Sequence, residues 1–81
     1  MAGREDWDPE FFAQIAEGRA AAYFATGQPQ RSLALLQEAV RRTPRNANRW
    51  KELGDLYQTL QQPQLAEQAH EHAAALSQSS P

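Results

Sequence analysis

The chain has 81 residues, with eight Lys and Arg against ten Asp and Glu, a net charge of −2 and no cysteine. This length allows one small domain with a modest core, and the absence of cysteine excludes disulfides and thiolate metal sites. The slightly acidic balance argues against a generally basic nucleic-acid coat. Alanine, the commonest residue at 15 positions, favours closely spaced helices over a sheet.

Proline and glycine delimit the first two predicted helices. Asp8 suits the N-cap and Pro9 the first helical position, while Gly27 suits a left-handed residue that ends the helix. Pro29 opens the second helix in the same way, and Pro44 ends it because proline disfavours helix in the residue before it. Helical spacing predicts buried stripes at Phe12, Ile15, Ala16, Ala20 and Tyr23, and then at Leu33, Leu36, Ala39 and Val40.

The third and fourth helices begin at the N-cap Asn46 and at Pro63. Their predicted stripes are Trp50, Leu53, Gly54, Tyr57 and Leu60, and then Leu65, Ala66, Ala69, His70, Ala73 and Leu76. Gly54 costs about 1 kcal/mol relative to alanine inside a helix, so we expect it to admit the alanine face of the fourth helix. No segment alternates as a strand does, and the chain is therefore predicted to be all-α.

The sequence also contains an internal repeat. The separation between Pro29 and Pro63 equals that between Tyr23 and Tyr57, and the tripeptide Gln-Pro-Gln surrounds both prolines. Two helices within a period near 34 are the signature of an array of helical hairpins. The second unit contains the spaced set Trp50, Leu53, Gly54, Tyr57, Ala66 and Ala73, and the first has matching residues at Tyr23, Gly27, Leu36, Ala39 and Pro44.

This pattern resembles the tetratricopeptide repeat (TPR) family. The resemblance implies an all-α fold in which two antiparallel helix-turn-helix hairpins stack as a short right-handed solenoid. We expect a flexible N-terminal segment at 1–8, a first hairpin at 9–45, a second at 46–76 and a flexible tail at 77–81. Departures from the family pattern include Arg19, Gln61 and His70. Arg19 lies on a predicted buried stripe, so its charged end must reach solvent or the residue must sit at an edge. Gln61 replaces a turn glycine, and His70 replaces a large apolar residue.

The resemblance implies a non-catalytic protein-interaction module of the adaptor, assembly-factor or co-chaperone type. Such stacks present a concave groove lined by the first helix of each hairpin. Its predicted lining is Gln14, Glu17, Ala21, Phe24, Asn48, Lys51, Asp55 and Gln58, with Ala25, Glu52 and Thr59 beside them. Phe24 either anchors a partner peptide or helix, or packs against the second hairpin. Family members that bind chaperone tails use a Lys, Arg and Asn clamp, but here Asp55 follows Lys51 by one turn and argues against one.

Two further surfaces are candidates for binding. The run of Arg41, Arg42, Arg45, Arg49 and Lys51 contains no acid; it is either a solvated face or a patch for an acidic partner or another copy's acidic fourth helix. Five charges between acidic flanks argue against nucleic acid. Two repeats without a following polar helix leave an end face open, so homo-oligomerisation is the alternative function. Trp7, Phe11 and Phe12 are candidates for the same interface.

No constellation of residues indicates catalysis, a metal or a cofactor. His70 and His72 point about 200° apart on a helix and cannot chelate one ion together, so we expect His70 to pack on the alanine face and His72 to be solvated. The serines lack a companion base, and the four glycines form no phosphate loop. The longest apolar run, residues 20–25, is too short for a signal peptide or a membrane span, so we expect a cytoplasmic protein.

Overall fold

The computed structural model describes residues 8–78, which form four helices. These are α1 (Pro9–Ala25), α2 (Pro29–Arg42), α3 (Ala47–Thr59) and α4 (Pro63–Gln78). Helix α1 packs against α2 and α3 against α4, and the described residues contain no strand. The predicted all-α class with two helical hairpins is therefore confirmed. The chain divides into two compact units between Thr43 and Pro44.

The predicted N-caps of α1 and α3 are confirmed by their hydrogen bonds. The Asp8 side chain accepts from the backbone N–H of Glu10 at 3.0 Å and of Phe11 at 3.3 Å. The Asn46 side chain accepts from the N–H of Arg49 at 3.2 Å. Each bond satisfies a donor that a helix N-terminus leaves without an intrahelical partner. Residues 1–7 and 79–81 of the predicted flexible segments lie outside the described residues, while Ser77 and Gln78 continue α4.

Both hairpin turns use the same left-handed backbone position. Gly27 has a φ of 77°, and Gln61, its counterpart in the second repeat, has a φ of 62°. The following residue bonds back to a tyrosine carbonyl in each case, from Gln28 to Tyr23 at 2.8 Å and from Gln62 to Tyr57 at 2.9 Å. This is the Schellman arrangement that ends many helices. Gln61 therefore takes the conformation of the glycine that it replaces.

The core of the first hairpin consists mainly of alanine on α1 and of larger residues on α2. The buried residues within these two helices are Ala13, Ala16, Ala20, Ser32, Leu33, Leu36, Ala39 and Val40. The predicted stripe is wrong at Ile15, which is 44% exposed, and it omits Ala13. Residues 13, 16 and 20 share one helical face, whereas position 15 lies about 160° from position 13 around the axis. The small side chains allow α1 and α2 to approach closely.

The second hairpin buries Leu53, Gly54, Leu56, Ala66, Ala69 and Ala73. The predicted stripe is wrong at Leu65, which is 40% exposed, and it misses Leu56 and the buried Arg49. Gly54 does admit the fourth helix, but its neighbour is not the predicted alanine face. A Cβ at position 54 would lie 2.5 Å from Cδ2 of His70, so the missing side chain provides room for the imidazole ring.

Candidate protein-binding site

The predicted groove residues of the first hairpin lie on one face of α1. Gln14, Glu17, Ala21 and Phe24 follow at intervals of three and four residues, the spacing that brings side chains together on a helix. Glu17 is half-buried and the other three are exposed. Phe24 is 47% exposed, the largest value among the exposed bulky apolar side chains of the described residues. The face therefore presents one aromatic ring among small and polar neighbours.

The second hairpin presents the equivalent face of α3. Asn48, Lys51, Asp55 and Gln58 occupy the same repeat positions as the four groove residues of α1, and all four are exposed. Nε2 of His70 lies 2.9 Å from Oδ1 of Asp55, and because a carboxylate only accepts, the imidazole donates. This bond holds the Asp55 carboxylate in place. Asn48 and Lys51 also line an open hollow of about 350 Å³.

The comparison with protein families agrees with this repeated geometry. The sequence model of the tetratricopeptide repeat matches residues 13–56, which is more than half of the 81 residues. The chain belongs to the tetratricopeptide repeat family. TPR units generally mediate protein–protein interactions and are typically non-catalytic. Comparison with curated proteins and with solved structures gives no significant match.

The basic run of this TPR chain does not present five free cations. Arg41 and Arg42 both pair with Glu38, at 3.4 and 2.8 Å. Arg49 is buried, with 5% of its surface exposed, and is therefore inaccessible to a large ligand. Arg45 and Lys51 are exposed. The five residues also belong to both units, because the division between the units falls after Thr43.

The two histidines make different contacts in the second TPR hairpin. His70 lies beside Gly54 and bonds to Asp55 instead of simply packing on the alanine face. His72 is exposed as expected, but its ring centroid also lies 4.1 Å from that of Trp50. Trp50 in turn donates its indole N–H to the Pro44 carbonyl at 2.7 Å. Within the described residues no group of three or more potential ligands is arranged to hold a metal.

Two of the hollows on the described residues were not predicted from the sequence. We name the first the head surface; it opens between α1 and α2, measures about 420 Å³ and is lined by Phe12, Ile15, Arg19, Leu35, Glu38 and Arg42. The Arg42 guanidinium lies 4.4 Å from the Phe12 ring centroid. The second, the tail surface, is the 350 Å³ hollow between α3 and α4, lined by Asn48, Lys51, His70, Ala73, Ala74 and Ser77.

The sequence carried one signal for the head surface, since Arg19 stands on a stripe that was otherwise predicted to be buried. Its side chain is exposed, which agrees with the expected position at an edge. Nothing in the sequence indicated that Ile15 would be exposed.

Among the described residues, no helix is both long enough and apolar enough to cross a bilayer.

Proposed function

We propose that this chain is a non-catalytic interaction module of the adaptor, assembly-factor or co-chaperone type. It binds an extended peptide or a helix of a protein partner through residues that we name the groove face. These are Gln14, Glu17, Ala21 and Phe24 on α1 and Asn48, Lys51, Asp55 and Gln58 on α3. The family assignment supports protein binding in general, and the properties of these side chains support this particular set.

The exposure of Phe24 is the observation that carries the proposal. An aromatic ring with nearly half of its surface in water contributes to binding when a partner removes the rest of that surface from solvent. Aromatic residues are enriched among the few interface residues that supply most of the binding energy. Phe24 lies among Gln14, Glu17 and Ala21, which are exposed or half-buried. These three side chains can form the rim around the buried centre of such an interface. It is therefore the expected anchor for an apolar side chain of the partner.

The α3 half of the groove face supplies polar specificity. Asn48, Lys51 and Gln58 offer exposed donors, while Asp55 offers an acceptor that His70 holds in place. A carboxylate beside Lys51 disfavours a partner that brings only acidic groups, because it repels them. We therefore expect a partner segment with an apolar anchor and polar groups of both signs. The terminal carboxylate of a chaperone tail does not fit this requirement.

A matched pair of phenylalanine variants tests the proposal. Affinity capture with the wild-type protein identifies a partner, and titration calorimetry with the purified partner then measures the dissociation constant. Phe24→Ala should weaken binding about tenfold, which corresponds to about 1.4 kcal/mol. Phe11→Ala is the control, because Phe11 is 42% exposed but lies outside the groove face, about 140° around the helix axis from Phe24, so its loss should leave affinity unchanged.

A charge variant tests the second half of the groove face. Lys51→Glu should weaken binding of the same partner if its acidic groups meet Lys51, and this loss should diminish with added salt. Equal affinities of wild type, Phe24→Ala and Lys51→Glu would overturn the groove face as the binding site. Circular dichroism of each variant checks that the helices are intact.

A further inference from the structure

The face that α1 and α2 form together continues beyond the head surface. At one end the Arg42 guanidinium lies 4.4 Å from the Phe12 ring centroid, and towards the other the Arg31 guanidinium lies 5.9 Å from the Tyr23 ring centroid. Positions 31, 35, 38 and 42 follow at helical intervals on α2, so Arg31 continues its side of the head surface. We name the head surface together with Tyr23 and Arg31 the extended head surface.

The middle of the extended head surface is apolar. Ile15 is 44% exposed and Leu35 is half-buried, and both line the hollow of about 420 Å³ together with Phe12. Apolar side chains that remain in water are stabilised when another protein surface covers them. Because the hollow opens between two packed helices, the apolar face of a third helix suits it.

The charge of the extended head surface is basic. Arg19, Arg31 and Arg42 outnumber its single acid, Glu38. The Glu38 carboxylate lies 2.8 Å from Arg42 and 3.4 Å from Arg41 beside the surface, so two guanidinium groups share it. Arg19 is exposed and makes no hydrogen bond or ion pair within the part of the chain that the structure describes. A partner that covers the apolar middle must therefore bring carboxylates to these arginines.

Two neighbouring acids do not reverse this balance. Asp8 lies one turn before Phe12, but its carboxylate already accepts two backbone N–H groups at the start of α1. Glu17 belongs to the groove face and lies about 160° around α1 from both Ile15 and Arg19. The extended head surface is thus a basic, partly apolar face on a different side of α1 from the groove face.

We propose that the extended head surface binds an acidic amphipathic helix of a protein partner. Apolar side chains of that helix cover Ile15 and Leu35. Its carboxylates pair with Arg19 and with the two arginines that lie against aromatic rings, Arg31 and Arg42. These two are about 16 Å apart along α2, so the partner contributes about three helical turns. The surface shares no residue with the groove face, and either proposal can fail without the other.

A matched pair of synthetic helical peptides tests the proposal. Both carry leucine at intervals of three and four residues, and one carries glutamate at the flanking positions where the other carries lysine. Ile15 is the only isoleucine of the chain, so one isotope-labelled δ1-methyl signal in the NMR spectrum reports on the surface. The glutamate peptide should shift this signal and bind about tenfold more tightly than the lysine peptide, because only its charges are opposite to those of the arginines.

Fluorescence anisotropy of the labelled peptides measures the effect of variants. Arg19→Glu should weaken binding of the glutamate peptide about fivefold and strengthen binding of the lysine peptide. Ile15→Ala should also weaken the glutamate peptide about fivefold, since less apolar surface is covered. Both new residues are good helix formers, and circular dichroism checks the fold. Phe24→Ala, a change on the groove face, is the control and should leave both affinities unchanged.

Other outcomes would overturn the proposal. Equal affinities for the two peptides would remove the requirement for acidic groups, and binding without a shift of the Ile15 signal would place the peptide elsewhere. A shift of that signal when the free protein is diluted would identify a second copy as the occupant. Tighter binding of a single-stranded oligonucleotide than of the glutamate peptide would identify a nucleic-acid site. No binding of the glutamate peptide at millimolar concentration would exclude the proposed helix.

Discussion

Gln61 occupies a backbone conformation that an L side chain opposes. Its φ of 62° is close to the 77° of Gly27 at the equivalent turn, and the left-handed region costs a residue with a Cβ roughly 1–2 kcal/mol. The internal repeat accounts for this conformation, because the turn after α3 has the same backbone geometry as the turn after α1. The bonds from Gln61 to Gln58 and from Gln62 to Tyr57 end α3 as the corresponding bonds end α1, and α4 begins two residues later at Pro63.

Gln61→Gly should therefore stabilise the protein. Relief of the left-handed strain exceeds the extra backbone entropy of glycine in the unfolded chain, so the free energy of unfolding should rise by about 1 kcal/mol. In a domain of this size the melting temperature should rise by about 4–8 °C in a calorimetric or circular-dichroism scan. Gly27→Gln is the matched control and should lower it by a similar amount. An unchanged melting temperature for Gln61→Gly would contradict this account of the turn.

Gly54 and His70 form the second informative contact at the scale of single residues. Gly54→Ala places a Cβ 2.5 Å from Cδ2 and 2.6 Å from Nε2 of His70, so the ring must move, and this movement breaks its bond with Asp55. We expect urea unfolding to show a loss of about 1–3 kcal/mol. Gly54→Leu, which is larger still, should unfold the second hairpin.

A double-mutant cycle isolates this contact. In a His70→Ala background the clash is absent, and alanine is favoured over glycine in a helix by about 1 kcal/mol, so Gly54→Ala should become neutral or stabilising. If Gly54→Ala lowers the free energy of unfolding equally in both backgrounds, the His70 ring is not the reason for glycine at position 54.

At the scale of helices, the faces were predicted less accurately than the helices themselves. The stripe assigned to α1 included Ile15 and that of α4 included Leu65, yet both are exposed. Hydrophobicity identifies side chains that can be buried, but a chain exposes many apolar atoms in any case. Where alanine supplies most of the core, the larger apolar residues no longer mark the buried face. The structure was needed to place Leu56 inside and Leu65 outside.

Two leucines of the second hairpin test this assignment. Leu56→Ala removes a buried side chain and should lower the free energy of unfolding by about 2–4 kcal/mol, a large fraction of the stability of a domain this small. Leu65→Ala removes a side chain that is 40% exposed and should lower it much less, since less apolar area is lost from the interior. Chemical denaturation monitored by circular dichroism measures both. Equal losses would place the two side chains in equivalent environments.

At the scale of the whole molecule, the internal repeat connects the fold to both proposed functions. The repeat places a groove-face residue of α1 and one of α3 at each equivalent position. It also identifies part of the head and tail surfaces, because Ile15 and Arg19 are exposed where Arg49 and Leu53 are buried, and Ala74 and Ser77 are exposed where Val40 and Thr43 are buried. Positions at which the two repeats differ therefore indicate candidate binding surfaces, as the matching positions do.

The number, type and order of the helices follow from the amino-acid sequence alone, because proline, glycine and capping residues act on the adjacent backbone. The family follows from it as well, since close helix packing requires small residues at fixed spacing. The tertiary structure was required to establish that Ile15 and Leu65 face solvent, that Arg49 is buried, and that His70 fills the space beside Gly54. These outcomes depend on which neighbouring helix covers each side chain, and the spacing of residues along one helix does not contain that information.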